Sequence, residues 1–200
     1  METTQTLLTK EKITAHIEHN NLCHHERITL SEILSAIEAD DIDQLIWFSQ
    51  FGDRIRAILL NSHAYKKGAQ FGFTEIDFDE YGWFKRPTFL ELEDLYFGIT
   101  DKDRYGNYST ITLGRGINHV WTYGLSCSFG TAGSCSGISV YNPAFPSKED
   151  ALQHAISKLK NMMLPKVGDS DTTNYNQKVI LATLKDITKY EVGRVQLSLF

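Results

Sequence analysis

His119-Val120-Trp121-Thr122-Tyr123-Gly124-Leu125-Ser126-Cys127-Ser128-Phe129 sets the architecture of the chain. His119, Trp121, Tyr123, Leu125, Cys127 and Phe129 alternate with Val120, Thr122, Gly124, Ser126 and Ser128. One set is large and mostly apolar, the other small and mostly polar. A period of two belongs to a strand that lays one face on a core. Gly130-Thr131-Ala132-Gly133-Ser134 then reads as a hairpin loop, and Cys135 to Tyr141 as the returning strand. Upstream, strands are expected over Phe71–Phe78, Thr88–Ile99 and Tyr108–Leu113. Their alternation slips phase near Glu75 and near Asp94, where bulges or breaks are expected. Turns are supplied by residues 101–107 and by Gly114-Arg115-Gly116. The sum is an antiparallel meander of four or five strands.

Helices flank this sheet. Thr9 can cap a helix from Lys10 to about Asn20, with Ile13 and Ile17 one turn apart. Thr29-Leu30-Ser31-Glu32 has the form of a capping box, opening a helix with Leu30, Ile33, Leu34 and Ile37 on one face. Asp41-Ile42-Asp43-Gln44 looks like another start. It opens one longer helix carrying Leu45, Ile46, Phe48, Ile55, Ile58 and Leu59, with Gly52 inside it as a kink or close contact. Lys66-Lys67-Gly68 ends it. After the sheet, Ser147-Lys148-Glu149-Asp150 starts a helix with Ala151, Leu152, Ala155, Ile156, Leu159 and Met163 in one stripe, and Pro165 ends it. A last helix is expected from about Thr173 to Tyr190, with Gly193 loosening the chain beyond it. The fold class is therefore α+β. It divides into a helical part at 1–67, a sheet at 68–145, helices at 146–190 and a tail at 191–200, with 68–190 expected to form one unit with 1–67.

The balance of 25 acidic against 20 basic residues gives a net charge of −5. That excludes a dominant electrostatic grip on DNA, so direct DNA binding is not expected. Three short N-terminal helices invite a helix-turn-helix reading, but Arg54 and Arg56 stand beside Asp53 and do not make a basic recognition face. The N-terminus is polar and lacks the order of a signal peptide, and no apolar run reaches membrane length. Three cysteines are too few for a disulfide scaffold. The expectation is a cytoplasmic protein without membrane contact.

The tail is Gln196-Leu197-Ser198-Leu199-Phe200. Its large apolar side chains could fill a pocket on another protein. The same residues also alternate as a last strand would. This pentapeptide resembles, residue for residue, the consensus by which bacterial polymerases and repair proteins bind the ring-shaped sliding clamp of the replisome. The resemblance covers these five residues only. It implies that Gln196 occupies a polar subsite, that Leu197, Leu199 and Phe200 enter an apolar cleft, and that Ser198 is a spacer. The aromatic strand, the Gly/Ser-rich turn and Pro146-Ser147-Lys148-Glu149-Asp150-Ala151 resemble, in texture, small accessory proteins of phages and plasmids. That second resemblance implies a mobile-element origin and no activity.

Four other constellations carry chemistry. His16, His19 and Cys23 would share a face if one helix held all three, with His24 and His25 next to them. A closed zinc site wants a fourth ligand, so no metal is assigned. Cys127 falls on the large-residue face of its strand, as a buried cysteine would, and His119 is too distant along the strand to activate it. The glycines of 130–134 lack the Lys and the following helix of a phosphate cradle. Glu75, Asp77, Asp79, Glu80, Glu91, Glu93 and Asp94 form an acidic run interleaved with Trp83, Phe84, Tyr96 and Phe97. Such carboxylates could mimic DNA phosphates, hold Mg²⁺ or simply guard a solvated sheet face.

No catalytic residue and no cofactor is assigned. The leading expectation is a non-enzymatic interaction protein that docks on the sliding clamp and modulates replication or repair. The alternatives are an acidic inhibitor of a nucleic-acid enzyme, such as an anti-defence protein, and a clamp-tethered DNA-modifying enzyme.

Overall fold

The computed structural model describes residues 8–99 and 106–197, with side chains to residue 193. It is α+β, and it divides into two compact units, Met1–Pro87 and Thr88–Phe200. The expected division after residue 67, with 68–190 joined to 1–67 in one unit, differs from this. The boundary falls instead at Pro87, because residues 70–87 contribute no strand.

The first unit holds α1 (Lys10–His19), α2 (His24–Glu38), α3 (Ile42–Ser49) and α4 (Ile55–Ala69). Thr9 caps α1 as expected, accepting from the Lys12 N–H. The box at Thr29–Glu32 is not a helix start. α2 begins six residues earlier, where Cys23 is the N-cap and its N–H donates to the Glu26 carboxylate at 2.8 Å. Thr29 is buried mid-helix and donates to the His25 carbonyl at 3.1 Å. The long helix expected after Asp41 is two helices. Gly52 has φ +149°, where a Cβ would lie 2.8 Å from the Ala57 Cβ, and the chain turns there before restarting at Ile55. Ile13, Leu30, Ile33, Phe48, Ile58 and Leu59 form the buried core of these helices.

The strand expected over Phe71–Phe78 is absent. Phe78 makes only an isolated bridge to Phe84. In the turn between them the Asp79, Gly82 and Lys85 N–H groups donate to the Trp83, Asp79 and Asp77 carbonyls at 2.9, 3.0 and 2.9 Å, and side chains reinforce it. The Asp79 Oδ1 accepts from the Tyr81 and Trp83 N–H groups at 2.9 Å each. Asn61, 2 % exposed, donates to the Phe51 and Gly82 carbonyls at 2.8 and 3.0 Å, and its carbonyl oxygen accepts from the Phe84 N–H at 2.9 Å.

The second unit is a four-stranded antiparallel meander in the order β1 (Leu90–Gly98), β2 (Tyr108–Arg115), β3 (Trp121–Ser128) and β4 (Gly133–Ser136). Then come α5 (Lys148–Met163), a 3-10 turn at Leu164–Lys166, and α6 (Gln177–Leu197). The alternation is realised over Trp121–Ser128, where Tyr123, Leu125 and Cys127 face the core together with Ile111, Leu113 and the α5 stripe, whereas His119 falls in the preceding turn with φ +67°. Ala151, Leu152, Ala155, Ile156, Leu159 and Met163 of that stripe are all buried. Each large side chain so buried contributes about 1.5–3 kcal/mol. Ser147 caps α5 by accepting from the Asp150 N–H. The slip of phase near Asp94 is a register shift between Leu90 and Glu93, where Glu91 takes φ +50°. α6 is fastened to β1 by the Asp186 carboxylate, which accepts from the Gly98 N–H at 2.9 Å. α6 also starts later than Thr173 and continues through Gly193 to Leu197.

Candidate functional site

Within the second unit, α5 and α6 pack on one face of the meander, and part of the opposite face forms a groove. Antiparallel register carries one row of side chains across that face. Tyr96 of β1 pairs with Thr110 of β2, Thr110 with Ser126 of β3, and Ser126 with Cys135 of β4. This row floors an open groove of about 490 Å³. Asp94 and Tyr108 line its β1–β2 end, and the 130–134 loop walls the other. The neighbouring stretch of the same face is covered. A Cβ on Gly114 would meet the Ile138 side chain at 2.3 Å, and one on Gly124 would meet backbone of 136–138 at 2.7–3.0 Å, so the returning chain lies directly across both glycines. Asn142 pins that return, donating to the Tyr123 and Gly137 carbonyls at 2.7 and 3.0 Å.

The groove is polar and partly aromatic. The Tyr96 and Tyr108 rings meet edge to face, with centroids 5.5 Å apart and planes at 75°. The Asp94 carboxylate accepts from the Thr112 hydroxyl at 2.6 Å and from the Tyr96 hydroxyl at 3.4 Å. The charge of Asp94 beside it holds the Tyr96 phenol above its ordinary pKa, so Tyr96 is neutral at any physiological pH.

The acidic residues singled out from sequence fall in both units. Glu75, Asp77, Asp79 and Glu80 belong to the first, and Glu91, Glu93 and Asp94 to the second. Several are occupied locally. Asp77 pairs with Lys85 at 2.8 Å, Glu91 with Arg115 at 2.6 Å, and Glu93 with Lys148. Hydrogen bonds from these cations hold the Asp77 and Glu91 carboxyls below their usual range. Asp79 is used as a turn cap. Asp94 differs: among the described residues, no lysine, arginine or histidine pairs with it.

His16, His19 and Cys23 do not share a helix, since α1 ends at His19 and Cys23 opens α2. The His19 ring bonds the Ala15 carbonyl at 2.7 Å, and His16 meets Asn20. A different association appears. The Cys23 Sγ lies 3.1 Å from the His25 Nδ1, and the His25 ring stacks on His63 at 4.2 Å. Burial is the main cause, with the nearby charge of His25 second, that lowers the pKa of His63 and favours its neutral form. Among the described residues, no three His, Cys, Asp or Glu side chains are grouped to hold a metal ion. Cys127 is buried, and burial pushes its thiol up to about 11, which makes it a poor nucleophile at neutral pH.

Of the docking pentapeptide, Gln196 and Leu197 lie in the last turn of α6, and their side chains are outside the described set. Ser198, Leu199 and Phe200 lie outside the described residues altogether. Asp101 and Asp103 likewise lie outside them. No helix among the described residues is long and apolar enough to cross a membrane. No protein-family model, no curated protein and no solved structure matches the chain.

Sequence reasoning named Asp94 but not the groove. The signal was present: Tyr96, Tyr108, Thr110 and Ser126 are out of phase with Leu95, Phe97, Ile111, Leu113, Tyr123 and Leu125, which pack in the core. Only the cross-strand register brings them into one row.

Proposed function

We propose that this chain is a non-enzymatic interaction protein that docks on the bacterial sliding clamp through Gln196-Leu197-Ser198-Leu199-Phe200, and so acts in DNA replication or repair. The observation that carries this reading is the pentapeptide itself, which matches the clamp-binding consensus at every position. Docking in an extended form requires Gln196 and Leu197 to leave the end of α6. That step is inexpensive. Gly193 stands four residues before the end of the helix, nothing lies within 4 Å of where its Cβ would be, and a helical Gly costs about 1 kcal/mol relative to Ala. Burial of Leu199 and Phe200 in a cleft would return about 1.5–3 kcal/mol each. Ordering the tail consumes about 1–2 kcal/mol per residue, so a single site has modest affinity. A ring with several clefts raises it through avidity.

The test is titration of the protein against purified clamp, alongside a labelled peptide of residues 191–200. Deleting Phe200 should weaken binding by about 2–4 kcal/mol, roughly thirty- to a thousandfold. Gly193→Ala should weaken the full chain by up to about fivefold, because it favours the helix that docking must unwind. The same change in the peptide should have little effect. Clamp affinity that ignores Phe200 would remove the proposal.

A further inference from the structure

The acids of β1 are not equivalent. Glu91 and Glu93 have cationic partners in Arg115 and Lys148. Asp94 has hydroxyls instead, and they fix its carboxylate at the rim of a concave groove beside two tyrosine rings. These hydroxyl donors orient the carboxylate and bring no positive charge of their own. Tyr96, 52 % exposed, presents aromatic surface to the groove, and aromatic faces attract cations. The floor adds the hydroxyls of Thr110 and Ser126, which can accept from N–H donors.

We infer that the outer-face groove of the meander binds an organic cation, an alkylammonium or guanidinium group, with Asp94 as its counter-ion and Tyr96 and Tyr108 as its aromatic walls. The size fits, since small-molecule sites span roughly 300–1,000 Å³ and this groove holds about 490 Å³. The charge sign argues against the other ligands an aromatic sheet face can take. Single-stranded nucleic acid also stacks on such faces, but it needs a basic groove to follow its backbone. Among the described residues the charge lining this groove is negative, as is the net charge of the chain. The same chemistry could come from a free polyamine or from an arginine or lysine displayed by a partner protein.

NMR titration of the ¹⁵N-labelled protein separates these cases. The probes are spermidine and the tripeptide acetyl-Gly-Arg-Gly-amide, with acetyl-Gly-Glu-Gly-amide and methyl glucoside as anionic and neutral controls. A cationic probe should shift the amides of Tyr96, Thr110 and Ser126, and added salt should weaken it. Asp94→Asn, which keeps an acceptor for Thr112, should weaken binding roughly tenfold. Tyr96→Ala should weaken it about three- to fivefold. Spermidine binding without the tripeptide identifies a free polyamine, and the reverse identifies a partner's side chain. The inference is overturned if neither cation shifts these amides at roughly 10 mM, a concentration that covers affinities as weak as millimolar. It is also overturned if a control probe binds equally well, or if Asp94→Asn with an unchanged melting temperature binds as the parent does.

Discussion

Asn61 in the first unit and Ser109 in the second are both buried polar side chains, and they are used differently. Asn61 makes three hydrogen bonds to backbone at Phe51, Gly82 and Phe84, segments with no ladder of their own. Ser109 accepts from the Ser128 N–H at 3.0 Å and hydrogen-bonds the Cys127 side chain, beside a register that is already continuous from Thr110 to Arg115. A sheet spreads its order over many equivalent bonds, whereas residues 70–87 combine scattered turn bonds with the side chains of Asn61 and Asp79. Stability in the second unit should therefore follow apolar volume, and stability of the 51–84 region should follow single polar groups.

The largest expected effects test that contrast directly. Leu159 is fully buried between α5 and the sheet, and Leu159→Ala should cost about 2–5 kcal/mol. Asn61→Ala removes little volume but leaves two carbonyls and one N–H without their partner, at a cost of about 2–4 kcal/mol. Hydrogen exchange should tell them apart. Asn61→Ala should lower protection across residues 51–84 first, and Leu159→Ala across β2, β3 and α5. Uniform loss of protection in both variants would break the comparison.

The next effect concerns thiols. Cys127 is buried and its thiol is pushed up from 9.0 to about 11, while Cys23 is exposed. The folded state therefore keeps a proton that the unfolded state gives up between pH 9 and about 11, so stability falls as pH rises through that window. The loss approaches about 2–3 kcal/mol, at about 1.4 kcal/mol per pH unit. Melting temperatures measured from pH 8 to 11 should decline more steeply in the parent than in Cys127→Ala, which lacks the titrating group. Parallel curves would show that burial does not set the thiol. Alkylation at neutral pH should mark Cys23 and spare Cys127 until the protein unfolds.

These differences also explain what could be read in advance. The meander and α5 were legible because period-two and helical stripes report burial directly: Tyr123, Leu125 and Ile156 are where their spacing put them. Residues 71–78 misled because Phe71, Phe73 and Phe78 look like strand residues. The Phe71 and Phe73 N–H groups instead donate back to the Gly68 carbonyl at the end of α4, and Phe78 meets Phe84 through one isolated bridge and a ring contact, and neither device has a period. Thr29–Glu32 misled because a capping box and a helix interior can share a sequence, and only burial of Thr29 distinguishes them. The groove was illegible for another reason. Register across four strands determines which hydroxyls and rings meet, and a single strand's sequence contains only its own alternation.

The smallest effect has an informative sign. Leu45, Ile46, Phe48, Ile55, Ile58 and Leu59 fit one continuous helical face, and on that reading Gly52 is a weak point inside a helix. Gly52→Ala would then stabilise the protein by roughly 0.5–1 kcal/mol, because alanine restricts the unfolded chain and favours helix. The observed break reverses the expectation. Gly52 has φ +149°, a backbone region closed to residues with a Cβ, and the added methyl would stand 2.8 Å from the Ala57 Cβ. Either the turn distorts or the start of α4 moves, and Gly52→Ala should cost about 1–3 kcal/mol. The consequence reaches further than the turn. Phe51, adjacent to Gly52, supplies a carbonyl to Asn61 and packs its ring against Trp47 and Tyr65. Displacing it should loosen the same 51–84 region that Asn61→Ala loosens, and the double variant should lose less than the sum of the two. A thermal melt of Gly52→Ala gives the sign. A rise in melting temperature would establish the continuous helix, and a fall with sub-additive loss in the double variant would establish the side-chain-held turn.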